Sequence, residues 1–359
     1  MDDKCIKLFA NCLLCKGAKQ AIIADVQKAV YYIIPNSLYF ILSNYQRYTC
    51  SEIKQKYPES EHHILYEYFR FICEEKIGFL VDKDMIENFP SLEMKWKNPG
   101  IVTNAIYDLS ETNKIYFKSF LEQLEFLQCF HLELRNFSTV RDVFIYKILG
   151  LIELSAIRSV TLYIKYSDEM DVDKLVKRID KYASLIQIIV WGCSKKYRYE
   201  NKANGKYLYA TENTIDSERS CGLILPELFS INMKTYTEAQ EHNSCLNRKI
   251  GIDRDGNIKN CPSMPKTFGH IKSVLLKEAI AMSGFKEVWG LAKDQIEVCR
   301  DCEFRYICTD CRAYTQDPGS IYSKPLKCGY NPYEAIWQPW TTNPLSQNAI
   351  NFYGFQKIL

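Results

Sequence analysis

The stretch Cys299-Arg-Asp-Cys302-Glu-Phe-Arg-Tyr-Ile-Cys308-Thr-Asp-Cys311-Arg312 packs four cysteines into one short run. A Cys-x2-Cys pair aims two thiolates at one centre, because a two-residue spacer wraps the backbone around a metal. Working outward, Cys328 lies downstream and Cys245 and Cys261 lie upstream. Between the last two, Ile250-Gly-Ile252 and Ile258-Lys259 flank Asp253-Arg-Asp-Gly256 and read as a hairpin. Asp255-Gly256 supplies the positive φ that such a turn needs, so the hairpin carries Cys245 toward Cys261. Two fillings suit these donors. Zinc takes four tetrahedral thiolates, and iron–sulfur clusters use the same ligands while tolerating an open site.

The chain has 359 residues and 15 cysteines, enough length for two or three domains. Its N-terminus, MDDKCIKLFANCLLCKG, does not read as a signal peptide, since acidic residues come first and Asn11 breaks the apolar stretch. No run of about 18 apolar residues occurs, so no membrane-spanning helix is expected. These features predict a cytoplasmic protein. Disulfides are rare there, which leaves metal binding or plain packing for the thiols. Lys and Arg number 46 against 43 Asp and Glu, for a net charge of +3. Without a basic stripe, that balance argues against a nucleic-acid partner.

Upstream of the cysteines the pattern is alternating β and α. Strands are expected at 101–109, 130–135, 159–166 and 185–192, with helices at 114–127, 140–156 and 170–183. Apolar strands separated by amphipathic helices predict an α/β fold with a parallel sheet, open or forming a partial barrel. Residues 194–222 read mainly as loop, with short strands at 206–211 and 228–232. Pro90, Pro99 and Gly100 mark a linker at 90–100. Before it, extended runs at 20–26 and 29–42, a helix N-capped by Ser51, a helix at 62–75 and a strand at 76–81 outline a winged-helix-like unit.

The seven-cysteine order Cys-x10-Gly-x4-Cys, Cys-x2-Cys-x5-Cys, a further Cys and a distant last Cys resembles the SPASM domain of radical-SAM peptide-modifying enzymes. Here two residues, Thr309-Asp310, stand where the family usually has three. The resemblance implies one auxiliary [4Fe–4S] cluster on Cys299, Cys302, Cys308 and Cys328. It implies a second on Cys245, Cys261 and Cys311, completed by Cys221 or Cys193 or left open. The same family places Cys-x3-Cys-x2-Cys after its first barrel strand to hold S-adenosylmethionine. This chain has Ser110-Glu-Thr-Asn-Lys114 there and no cysteine between Cys73 and Cys129, so S-adenosylmethionine binding is not expected.

Size and domain order resemble the SPASM-domain maturases of the grasp-with-spasm systems. That likeness implies a leader-peptide-recognition unit at 1–95, a degenerate radical-SAM-like barrel at 100–240, the cysteine domain at 243–340 and a tail at 341–359. The implied partners are a ribosomal precursor peptide and an ATP-grasp ligase. An adaptor that only presents the precursor, or a zinc-stabilised structural protein, are the alternatives. Among other residues, Cys5, Cys12 and Cys15 read as packing thiols ahead of the first domain. His62-His63 reads as solvent-facing, and His242 as a candidate hydrogen-bond donor to a ligating sulfur.

Overall fold

The computed structural model describes residues 2–139 and 142–357; the start of the helix expected from residue 140 lies outside them. The N-terminal unit runs β1 (Cys5–Leu8), β2 (Cys12–Lys16), β3 (Ala21–Asp25), β4 (Val30–Ile34), α1 (Asn36–Asn44), α2 (Cys50–Lys54), α3 (His62–Glu74) and β5 (Gly78–Val81). Strands β2, β3 and β4 form an antiparallel sheet, while β1 pairs antiparallel with β5. α3 buries Leu65, Phe69 and Ile72, one stripe of a 3.6-residue period. That stripe packs with Ile23, Ile34, Leu38 and Ile41.

Four local expectations are corrected here. The run at 29–42 is not one extended segment: Pro35, at φ −62°, ends β4 and caps α1. Thr49, not Ser51, caps α2, accepting from the Glu52 amide while the Glu52 carboxylate accepts from the Thr49 amide. Such a cap is worth about 1 kcal/mol. Cys12 and Cys15 do not precede the unit; both are buried on β2, inside it. His62 is half-buried, its Nε2 lying 2.8 Å from the Lys54 carbonyl at the end of α2.

Residues 90–103 have no regular secondary structure apart from bends and are held by Arg248, which donates to the carbonyls of Asn98 (2.8 Å) and Gly100 (2.5 Å). Next come β6 (Asn104–Leu109), α4 (Phe117–Phe126), β7 (His131–Asn136), α5 (Asp142–Glu153), β8 (Ser159–Lys165), α6 (Val172–Ile179) and β9 (Leu185–Trp191). They are followed by β10 (Tyr197–Asn201), β11 (Lys206–Thr211), α7 (Met233–Glu241), β12 (Lys249–Ile252) and β13 (Ile258–Lys259). The sheet has eight strands in the order β10-β11-β9-β8-β7-β6-β12-β13, and it is open. From β11 to β12 neighbours run parallel; β10 and β13 add antiparallel edges. The fold is mixed α/β with a mostly parallel sheet.

β10 forms within the stretch expected to be loop. The strand expected at 228–232 is absent: the chain makes a short turn at Pro226–Leu228, and the Asn232 side chain then caps α7 by accepting from Thr235 N at 2.9 Å. The larger surprise is β12. The cysteine hairpin does not stand apart but docks its first strand beside β6.

Alternation then decides what each sheet face carries. Ala105, Tyr107, Leu109, Leu132, Leu134, Val160 and Leu162 pack with α4 and α5 residues such as Phe120 and Ile148 in the main core. The intervening residues, Ile106, Asp108, Glu133, Arg135, Tyr163 and Lys249, face the other way, toward the cysteine domain. Ile106 shares a cluster there with Leu246, Cys261 and Leu291.

The cysteine domain is mostly turns, with α8 (Leu276–Ala281) and the two-residue pair β14 (Tyr330–Asn331) and β15 (Ile336–Trp337). The tail contributes α9 (Gln347–Phe352), and Ile350 and Phe355 pack on Tyr314 and Leu326. Across the molecule, β2 and the turn after it meet α7 and the cysteine domain. Tyr236 donates to the Leu14 carbonyl at 2.9 Å, Arg305 to the Lys16 carbonyl at 2.5 Å, and the Ala18 amide to Asp301 O at 2.8 Å. Among the described residues no helix is long and apolar enough to cross a membrane.

Candidate metal centre

Charge coupling between thiols gathers the cysteines in two places. Cys299 couples to Cys328 and Cys308, and Cys302 couples to Cys299 and Cys308. Cys221 couples to Cys261, Cys245 and Cys311, and Cys311 couples to Cys245 and Cys261. No disulfide joins any of them. All seven cysteines singled out in the sequence thus fall into one set or the other. Of the two candidates for an eighth, Cys221 joins and Cys193 does not. Cys193 sits in the main core, its thiol donating to Val190 O at 3.6 Å.

Local chemistry explains how each set is held. β12 crosses under the Cys261 backbone at Gly251, where a Cβ would lie 2.5 Å from Pro262 Cδ and 3.2 Å from Cys261 Cα. Only glycine permits that approach. Cys221 is followed by Gly222 at φ +88°, where a Cβ would meet Cys311 Sγ at 3.0 Å. The Cys221 loop is also tied to the stretch of chain that carries Cys328, in the other set: Ile224 bridges to Cys328, and Lys327 donates to the carbonyls of Arg219 and Cys221. Val298, beside Cys299, has φ 65° and ψ −42°. A β-branched residue held there stores about 1–3 kcal/mol of strain.

The two residues between Cys308 and Cys311 send those thiols to different sets. Ser244 braces this bridge by donating to Cys308 O and accepting from the Asp310 amide, both at 3.0 Å. Asp310 is buried between Arg312 (2.6 Å) and Asn243 (2.7 Å). The shortened spacer therefore still delivers Cys311 to Cys245 and Cys261.

Burial dominates the acidity of the thiols. It pushes Cys299 and Cys311 up to about 12. A cation that replaces those protons makes thiolates of them, so loading releases protons. Among the described residues no group of three or more His, Cys, Asp or Glu side chains is placed to hold a metal ion. The donor sets suit a thiolate-bound centre on other grounds: each has a lysine ammonium on one sulfur. Lys249 Nζ is 3.3 Å from Cys245 Sγ, and Lys293 Nζ is 3.0 Å from Cys308 Sγ. Burial works against both charges, yet the neighbouring thiols hold both lysines above their usual range. Neither lysine was legible in the sequence, since β12 and the turn before Cys299 place them only in three dimensions. His242 does not fill the role expected of it; its ring packs edge-on against Trp96 at 5.4 Å.

A second polar cluster stands at the carboxyl ends of β6 and β7. Arg135 grips Asp108 with two hydrogen bonds, Nε to Oδ1 at 2.6 Å and Nη2 to Oδ2 at 2.8 Å, and both residues are buried. Burial lifts the Asp108 carboxyl to about 6 while Arg135 pulls it down; at such distances the pair is ionic at neutral pH. Asn113, in the loop after β6, donates to Asp108 O and Asp253 O. In parallel α/β sheets this end of the strands is where ligands bind. Here an internal ion pair fills it.

No known protein family matches the chain, and no curated protein is detectably similar to it.

Proposed function

We propose that this chain is a maturation protein for a ribosomally made peptide, carrying two thiolate-ligated [4Fe–4S] clusters and acting with an ATP-grasp ligase. The observation that carries the reading is the sorting of eight cysteines into two sets of four. Cys299, Cys302, Cys308 and Cys328 would hold one cluster; Cys221, Cys245, Cys261 and Cys311 would hold the other. When bound, such clusters supply one-electron chemistry or a Lewis-acidic iron. The chain's own residues bury Cys261, Cys299 and Cys308, brace the 308–311 bridge and set one ammonium group on a sulfur of each set.

The precursor leader would add as a strand to the N-terminal sheet. Of the two sheet edges, β2 has backbone carbonyls committed to Tyr236 and Arg305, whereas β4 pairs, among the described residues, with β3 alone and exposes Val30 and Ile33. β4 is the edge this reading assigns to the leader. The Asp108–Arg135 pair favours a second reading, in which the protein presents the precursor to the ligase and performs no chemistry itself.

Anaerobic purification followed by metal and acid-labile sulfide analysis tests the clusters. Iron and sulfide at about eight each per chain are expected from two such cubanes; stoichiometric zinc without sulfide overturns the assignment. Incubating precursor with and without the ligase separates the two roles. A mass shift that needs this chain alone supports catalysis, and faster ligation with no new modification supports presentation.

A further inference from the structure

We propose that Lys249 and Lys293 each act as the fixed counter-charge of one cluster and raise its reduction potential; this rests on the iron–sulfur reading above. Each set of four cysteines has one such lysine. Lys293 is buried and donates to Cys308 Sγ at 3.0 Å and to Thr309 O at 3.2 Å. Lys249 donates to Cys245 Sγ at 3.3 Å.

Other lysines in comparable settings end elsewhere. Lys259, on the same hairpin as Lys249, pairs with Asp253 at 2.9 Å. Lys206 reaches the carbonyls of Ile179 and Tyr182, and Lys324 reaches that of Tyr330. Among the described residues Lys249 and Lys293 form no ion pair with a carboxylate. Burying an ammonium is costly; Asp310 and Glu133 also couple to these lysines, but among the described residues the side-chain atoms within hydrogen-bond distance of the two Nζ are sulfurs. A four-thiolate cluster is anionic and gains one further negative charge on reduction. An N–H···S bond from a fixed cation in a low-dielectric interior therefore stabilises the reduced state more than the oxidised one. Net charge and hydrogen bonds to sulfur are among the terms that set cluster potentials.

The test uses the full chain, reconstituted anaerobically, with Lys249→Met, Lys293→Met and the corresponding arginine variants. Iron and sulfide are counted, and each cluster's midpoint potential is read by EPR-monitored titration. In Lys293→Met one of the two potentials should fall and the other stay; in Lys249→Met the assignment should swap. The fall should correspond to at least a tenfold weaker reduction equilibrium, about 59 mV for one electron. Arginine, which keeps the charge, should restore most of it. Loaded methionine variants with unmoved potentials overturn the inference while leaving the clusters intact. Should a methionine variant fail to load, wild-type protein labelled with 15N-lysine decides. Lysine nitrogen coupling to both reduced clusters supports the contact, and its absence overturns it. Wild-type protein free of iron and sulfide ends the cluster reading itself.

Discussion

At the scale of single residues, Asp25 shows how much one buried carboxylate can organise. It closes the β3–β4 turn by accepting from the Gln27 and Lys28 amides and from Asn11, and its side chain is inaccessible to solvent. Burial alone would raise its carboxyl, but those donors hold it below the ordinary 3.8. Because the folded value lies below the unfolded one, the stabilisation is complete above that ordinary value. It is lost as the pH falls through the folded value. Asp25→Ala should therefore cost about 1.5–3 kcal/mol at pH 7 in urea unfolding, and the gap to the parent should narrow in acid. A pH-independent gap would mean that the packing of Asp25, not its charge, matters. Cys221 is the other telling residue. On the two-cluster reading, Cys221→Ala should leave about half of the iron and sulfide of the parent. Cys193→Ala should keep all of it, at a packing cost read by thermal melting.

Elements show where a sequence speaks and where it falls silent. α3 was readable because its apolar stripe has a period no strand shares, and β6 to β9 because apolar runs alternated with amphipathic helices. β1 and β2 were not readable, since four- and five-residue strands rich in cysteine resemble packing segments. The hairpin itself was plain from Asp255-Gly256, but nothing local marks Ile250 and Ile252 as partners of β6. Parallel pairing is non-local by nature. At the edge of the N-terminal sheet, Ile33 is 54% exposed, so Ile33→Asp should alter stability by no more than about 0.5 kcal/mol. If this chain binds a precursor leader as proposed, the substitution should weaken that binding at least tenfold, about 1.4 kcal/mol, measured by fluorescence anisotropy. Unchanged affinity would move the leader off β4.

For the molecule as a whole, the N-terminal sheet and the cysteine domain are welded. Cys15, Ile22 and Ala24 share one apolar cluster with Phe304, Ile307 and Cys308, and Glu303 accepts from both Gln20 and Tyr330. The two should unfold in a single thermal transition. Glu303→Ala, which orphans those donors, should lower its midpoint and leave the transition single; two separate steps would show that the domains are independent. The sequence announced both domains but not this contact, because its residues are dispersed among ordinary core positions. That seven of these cysteines stand near one another could be expected from their crowding into residues 245–328. The eighth came only with the loop that Lys327 fastens.

The Asp108–Arg135 pair also constrains how such a chain can drift. Replacing either partner alone strands a buried charge, a loss of about 3–5 kcal/mol, a large fraction of a domain's net stability. Replacing both with matched apolar side chains is far cheaper. Descent should therefore alter these two positions together or not at all, and relatives that re-open the strand ends to a ligand should lack both charges. The pair acts as a ratchet: once closed, that end of the sheet has no easy single step back.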